Sequence, residues 1–373
     1  MLTHSELKEL AAIRHNEKLF ISLYLNVNPL TNPKGDYIIH FKNMAKELLD
    51  KIGRDTEKKV KNAIDKIESH LKGNKRELKK GIALICSSDL EIWKNYNLSL
   101  PVKNEIIVDN TPYIQPLVFL LNNYPRCVVL LVDRELAKIF IVHLGEIKEY
   151  TELFTPDIPG KHKKGDWFSL SQKRFERHID YHVGIHIKEV VKALEDFLHK
   201  ESMNNIIIGG SEDAVTKVKN ILPQAIIRKV ISTFNAETFL GEKEVLNKTL
   251  KVLEELEGEK QKNMAEELIT KAMKNNMAVI GIEDVLGNLQ EGKVMKLVFL
   301  KDLTAVGFKC SNCGFLTVQT IKSCPYCGGK FEGVHYLIDY TAQKAVEQGA
   351  LIEIITKSDE LVKAGGIGAF LRF

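Results

Sequence analysis

Six cysteines occur in the 373 residues, and four of them, Cys310, Cys313, Cys324 and Cys327, share one short stretch. They form two C-x2-C pairs separated by ten residues, with Gly314, Gly328 and Gly329 just after the pairs. Such a pair followed by glycine turns tightly enough for two thiolates to face one ion. Four thiolates close a tetrahedral shell and leave no position for substrate or water. The spacing therefore reads as a structural zinc ribbon at 308–331, against the alternative of four free buried thiols, and it disfavours a catalytic zinc. Cys86 and Cys127 stand alone in apolar, strand-like runs. A secreted disulfide framework would instead spread its cysteines through the chain.

A second segment carries charge. Lys161-His162-Lys163-Lys164-Gly165-Asp166-Trp167-Phe168-Ser169-Leu170-Ser171-Gln172-Lys173-Arg174-Phe175-Glu176-Arg177-His178 holds six Lys and Arg against two Asp and Glu, a net of +4 with histidines neutral. The whole chain, with 53 Lys and Arg against 49 Asp and Glu, carries the same +4, so everything outside the segment sums to zero. That total argues against a surface uniformly adapted to nucleic acid. Within the segment, Lys and Arg can neutralise phosphates while Trp167 or Phe168 stacks on a base, which suits an RNA-facing loop. The alternative is an ordinary solvated loop.

Other candidates are weaker. His178, His182 and His186 recur every fourth residue and share a helix face; metal chelation competes there with RNA contact or packing beneath the loop. Gly209-Gly210-Ser211 follows a strand and could cradle a phosphate, but no Walker loop or G-x-G-x-x-G exists. Asp133, Asp166 and Asp180 could serve a nuclease, although nothing in their spacing enforces proximity. No Ser-His-Asp or paired-carboxylate constellation is visible.

These residues need elements to hold them. The length exceeds what one core organises, and 44% apolar content supplies a core for each of two or three domains. No apolar run approaches the roughly 20 residues of a bilayer span, and Met1 to Glu9 has no signal-peptide run, so a cytoplasmic protein is expected. Helical and strand patterns alternate from end to end, which predicts an α/β fold. Strands are expected at 20–27, 81–87 and 105–109 with helices at 37–52 and 57–71, and turn chemistry at 120–125 closes an N-terminal domain, 1–123. The central domain, 124–260, has strands at 127–133, 137–144 and 146–154. A helix over 175–198, a strand at 206–208 and a strand at 225–232 complete it. A connecting helix at 237–262 leads to the C-terminal domain, 261–373. There a helix at 264–274, strands at 277–281, 295–300 and 350–356, and a helix at 340–348 surround the Cys-rich insert. Gly365-Gly366-Ile367-Gly368 precedes a strand-like end and reads as a tight turn.

Pro159-Gly160-Lys161-His162-Lys163-Lys164-Gly165, followed by Gln172, Arg174-Phe175 and Arg177, resembles the central domain of archaeal and eukaryotic class-1 translation release factors. There a P-K-K-H-x-x-G-G-Q loop precedes a long helix carrying R-F-x-R. Ile208-Gly209-Gly210-Ser211 is similar to the family's A-G-S turn, Gly281-Ile282-Glu283-Asp284-Val285 to its G-x-x-E-V segment, and Gly365 to Phe373 to its G-G-I-G-x-x-L-R-aromatic ending. Archaeal members also carry paired C-x2-C motifs. The resemblance runs in order over 128–373, and Phe20 to Tyr24 resembles the family's first strand. It implies a central RNase H-like α/β domain and a Pelota/release-factor-type α/β C-terminal domain with the zinc ribbon inserted. It also implies a cytoplasmic factor that hydrolyses the peptidyl-tRNA ester in the peptidyl transferase centre.

Two departures shape that expectation. The tip reads Gly165-Asp166-Trp167 where the family has Gly-Gly-Gln, with the nearest glutamine at Gln172. This is closer to the bacterial branch and the Vms1-like ribosome-rescue hydrolases. The N-terminal domain lacks the N-I-K-S and Y-x-C-x-x-x-F codon-reading motifs. The resemblance thus implies nascent-chain release without stop-codon reading. Gly165, Trp167 and Gln172 would form the catalytic tip, and Lys161, His162, Lys163, Lys164, Lys173, Arg174 and Arg177 would lie against RNA. Implied partners are large-subunit ribosomal RNA, peptidyl-tRNA and a translational GTPase, with no membrane. The rival readings are a non-catalytic ribosome-binding factor and a tRNA-directed nuclease.

Overall fold

The computed structural model describes residues 2–13, 18–154, 169–236 and 240–373, with backbone alone at 154 and 169–180. Contacts divide it into two units, Met1–Asn123 with Leu256–Phe373, and Tyr124–Glu255.

The first unit begins with α1 (His4–Ala12), β1 (Phe20–Asn26), α2 (Tyr37–Lys51), α3 (Arg54–Gly73), β2 (Gly81–Ser87), β3 (Trp93–Leu98), β4 (Glu105–Asp109) and α4 (Gln115–Asn123). The strands form an antiparallel sheet in the order β3-β2-β1-β4. Alternate residues Ile21, Leu23 and Leu25 point to the face where α3 lays its stripe of Val60, Ile64, Ile67 and Leu71. This is the meeting of period 2 with period 3.6. Expected turn chemistry at 120–125 gives way to helix as far as Asn123, because Leu117, Leu120 and Leu121 are buried.

The second unit contains β5 (Cys127–Val132), β6 (Leu136–His143), β7 (Glu146–Phe154), α5 (Ser169–Lys200), β8 (Ile206–Gly210), α6 (Glu212–Ile221), α7 (Gln224–Ile227) and β9 (Val230–Asn235). Its sheet runs β7-β6-β5-β8-β9, with β5, β8 and β9 parallel and the β5-β6-β7 meander antiparallel. Val128, Leu130 and Val132 face the core under α5 and α6, while Cys127, Val129 and Leu131 face the opposite core. A strand buried on both faces reads as a continuous apolar run, which made β5 conspicuous. The strand expected at 225–232 starts later, since Pro223 first caps the single turn α7.

Next comes α8 (Glu242–Met273), one helix of 32 residues where two were expected. It is rich in Glu, Lys and Leu, good helix formers, and contains no proline to break it. Val245 and Leu253 belong to a core of the second unit, and Met264, Ala265 and Leu268 to a core of the first.

The remainder of the first unit holds β10 (Ala278–Ile280), α9 (Ile282–Gln290), β11 (Val294–Leu300), β12 (Gly307–Cys310), β13 (Leu316–Thr317) and β14 (Phe331–Val334). After these come α10 (Leu337–Glu347), β15 (Leu351–Ile355), α11 (Asp359–Lys363) and β16 (Ile367–Leu371). One sheet runs β10-β16-β11-β15, and β13-β12-β14 forms a small separate sheet. No helix among the described residues is long and apolar enough to cross a membrane.

Candidate metal centre and nucleic-acid interface

The small sheet carries the four clustered cysteines. Each C-x2-C pair folds in the same way. Gly314 donates its N–H to the Cys310 carbonyl at 3.0 Å, and Gly328 donates to the Cys324 carbonyl at 2.8 Å. The Cys310 N–H then donates to the Phe315 carbonyl at 2.8 Å and the Cys324 N–H to the Gly329 carbonyl at 2.9 Å. Both closing glycines need the left-handed region, at φ 68° for Gly314 and 71° for Gly328.

These matching turns bring all four Sγ atoms within 4.8 Å of one another. Cys310 lies 3.5 Å from Cys327, and Cys313 lies 3.5 Å from Cys324, each contact joining one pair to the other. Sulfurs about 2.3 Å from a common tetrahedral ion sit about 3.8 Å apart, whereas a disulfide needs about 2.0 Å. The cluster therefore fits an ion and not two disulfides. A Cβ at Gly329 would stand 2.9 Å from Cys310 Sγ and 3.3 Å from Cys327 Sγ, so only glycine closes the cradle without displacing a sulfur. The Gly329 N–H hydrogen-bonds Cys327 and, with Cys313 beside it, pulls that thiol down to about 6. Leu316 at the base packs with Leu286, Leu337 and Tyr340. By contrast, burial pushes Cys86 and Cys127 up to about 12, consistent with two inert core thiols.

The basic segment starts after β7 and runs into α5. Lys161, His162, Lys163, Lys164, Gly165 and Trp167 lie outside the described residues. Gln172, Lys173, Arg174 and Arg177 fall in the first turns of α5, with Gln172 in the first, and their side chains also lie outside the description. Farther along α5, His186 is buried, hydrogen-bonded to the Leu136 backbone, and held below the usual imidazole range by that burial. Packing accounts for it. Among the described residues, the four cysteines are the one cluster of three or more such ligands close enough for an ion.

Gly209-Gly210-Ser211 is likewise explained by structure. Added Cβ atoms would meet the Phe234 ring at 2.5 Å and the Val132 carbonyl at 2.0 Å. Ser211 caps α6 by accepting from the Ala214 N–H at 3.4 Å, and its hydroxyl donates to Asp133 at 3.3 Å.

The sequence reading missed a polar seam within the first unit. The Gln115 amide donates to Asp339, and the Tyr340 hydroxyl donates to Asp109. Nearby, the Asn122 amide donates to the Ile352 carbonyl at 2.7 Å and the Gln343 amide to the Ala11 carbonyl at 2.9 Å. Burial, reinforced by Glu105 and Asp109, raises Asp339 well above the usual carboxylate range. No local motif signals partners more than 200 positions apart.

With this geometry in place, the chain can be set beside known proteins. Residues 112–254 match the model of bacterial archaeo-eukaryotic release factor family 10. Peptide chain release factor subunit 1 of Methanobrevibacter smithii is 28% identical, covering 90% of this chain and 92% of that protein. Its counterpart from Methanococcus vannielii is 26% identical, covering 100% of this chain and 97% of that one. The solved archaeal translation termination factor aRF1 aligns over 99% of this chain at 18% identity with a TM-score of 0.25, too low to carry over any arrangement of parts. Residues 112–254 thus match a family of the archaeo-eukaryotic release factor superfamily, and the chain as a whole is similar to archaeal peptide chain release factor subunit 1.

Proposed function

We propose that this protein is a ribosome-associated factor that releases nascent chains from peptidyl-tRNA without reading stop codons. The observation that carries the reading is similarity to peptide chain release factor subunit 1 over nine-tenths of the chain or more. It is joined to a net +4 segment, 161–178, that runs into the start of the long helix α5. Ester hydrolysis in a ribosomal centre asks the protein to place a polar group and a water near the ester while RNA supplies the rest. A glutamine amide does this without a pKa near 7, in keeping with a sequence that offers no Ser-His-Asp set. Gln172 would orient the water. Gly165 and Trp167 would shape the tip, and Lys161, His162, Lys163, Lys164, Lys173, Arg174 and Arg177 would hold it on large-subunit RNA. A translational GTPase would be the delivering partner.

The test is single-turnover release from stalled peptidyl-tRNA–ribosome complexes, with no stop codon in the empty site. Release is expected. Ribosome binding without release would favour a second reading, a non-catalytic factor, for which the Gly165-Asp166-Trp167 tip speaks.

We also assign the Cys310, Cys313, Cys324 and Cys327 cluster to one zinc ion in a structural role. Bound, it would tie the two turns together and keep all four thiols deprotonated. Elemental analysis should find about one zinc per chain in protein prepared without chelator. Chelation should speed amide exchange across 308–331, and a metal-free preparation with the same protection would refute the assignment.

A further inference from the structure

The end of α3 and the turn joining it to β2 concentrate positive charge. From Lys66 to Lys80 the sequence holds six Lys and Arg against two Glu. Some of these cations have structural work. Lys72 pairs with Glu68 at 2.5 Å and stands in the last turn of α3, where a cation suits the helix dipole. On the neighbouring edge strand β3, Lys94 is the kind of charge that discourages pairing with a foreign strand. Lys66, Lys75 and Arg76 are exposed, and no ion pair involves them among the described residues. Neither helix ending nor edge protection requires Lys75 and Arg76, which lie beyond the end of α3.

What the local structure does supply is stiffness. His70 lies between two amides, with Asn74 Nδ2 3.0 Å from Nδ1 and Asn95 Nδ2 3.0 Å from Nε2, and the neutral ring accepts a hydrogen bond at one of these nitrogens. Trp93 packs edge-on against the same ring at 5.5 Å. Asn74 also donates to the His70 carbonyl at 3.1 Å, which closes the helix end. The base of the turn is therefore tied to both the helix and the sheet, so less ordering entropy is lost when its cations meet a partner. It carries no glycine-rich aromatic tip, so it suits a platform that lies along a charged backbone and not a probe that enters a pocket.

We propose that this face binds the phosphate backbone of a helical RNA, as an anchor separate from the basic segment at 161–178; the proposal rests on the ribosome-directed reading above. The recognition is electrostatic and independent of base sequence.

The test uses the full chain and three probes: a labelled RNA duplex of about 20 base pairs, purified ribosomes, and phosphatidylserine-containing vesicles. Binding is measured between roughly 50 and 200 mM salt. The wild type should bind the duplex with a steep salt dependence. The triple variant Lys66→Ala, Lys75→Ala, Arg76→Ala should lose about tenfold or more in affinity, and its log–log salt slope should flatten by about 2 to 3 units, near 0.9 per lost phosphate contact. Lys66→Arg with Lys75→Arg should retain binding, and an unchanged thermal unfolding curve excludes a folding defect. If the wild type binds ribosomes while the triple variant matches it on both RNA probes, this inference fails and the ribosome-directed reading is untouched. If the wild type binds neither duplex nor ribosomes, both fail. Preference for vesicles over duplex also overturns the RNA assignment.

Discussion

Residues 66–80 and 161–178 carry the same formal charge, six Lys and Arg against two acids in each, yet only the second stands out in the sequence. The second interleaves its cations with Gly165, Trp167 and Phe168, and the first sets them on a helix end beside a His-Asn clamp. The chain total is +4 and the two regions sum to +8, so the remainder carries −4. A remainder of zero outside one segment thus concealed a second basic face balanced by acids elsewhere. Net charge locates nothing until the fold shows which charges share a surface. Under the proposed function the two regions would divide the work, one as a probe for a reaction centre and the other as a rigid face that holds position.

The widest separation between them should appear in catalysis. Gln172→Ala removes the donor assigned to the water, and loss of one positioned donor in a preorganised centre costs about 10²-fold to 10³-fold in rate. Single-turnover release at saturating factor should fall by that amount while ribosome affinity stays near wild type. The Lys66, Lys75 and Arg76 triple variant should show the converse, weaker binding with an unchanged saturating rate. If both variants lower the saturating rate equally, the division into probe and anchor is wrong.

A smaller effect tests whether both regions touch phosphate. Replacing Lys163, Lys164 and Arg174 with Ala should flatten the salt dependence of ribosome binding by at most about 0.9 units per lost contact. Combining this with the α3 triple variant should flatten it by the sum, because each slope counts phosphates released independently. A combined slope no flatter than either triple variant alone would mean that one region is a bystander.

What was legible in the sequence follows from how local each signal is. The cysteine cluster was legible because both turns are built within a few residues and their closing glycines adjoin the ligands. Strand β5 was legible because burial on both faces leaves an unbroken apolar run. Edge strand β3 was missed, since Trp93-Lys94-Asn95-Tyr96-Asn97 is half exposed and shows no alternation. The continuity of α8 was missed because its apolar residues change partners midway, from one unit's core to the other's, and the pattern reads as two helices. Neither Asp339 with Gln115 nor Tyr340 with Asp109 could be paired without the fold. The roles proposed for Gly165, Trp167 and Gln172 rest on family resemblance alone, because a tip that worked by position would carry no catalytic signature of its own.

The smallest expected effect concerns the clamp that would make the α3 turn rigid. Burial lowers the His70 pKa below the ordinary 6.5, with Glu77 opposing and Lys66 assisting. A base whose folded pKa is depressed is favoured in its neutral form, so its contribution to stability is complete above 6.5. That contribution is lost as the pH falls through 6.5 toward the folded value. Acidification from pH 7.5 to 5.5 should therefore loosen the end of α3, with amide exchange over 70–80 speeding up by more than the change in intrinsic rate. His70→Gln offers hydrogen bonds without a titrating ring, and it should remove the pH dependence while leaving most of the protection at pH 7.5. If exchange in the wild type keeps to the intrinsic rate across that range, His70 does not hold the turn, and the contrast between a rigid anchor and a reaching probe loses its structural basis.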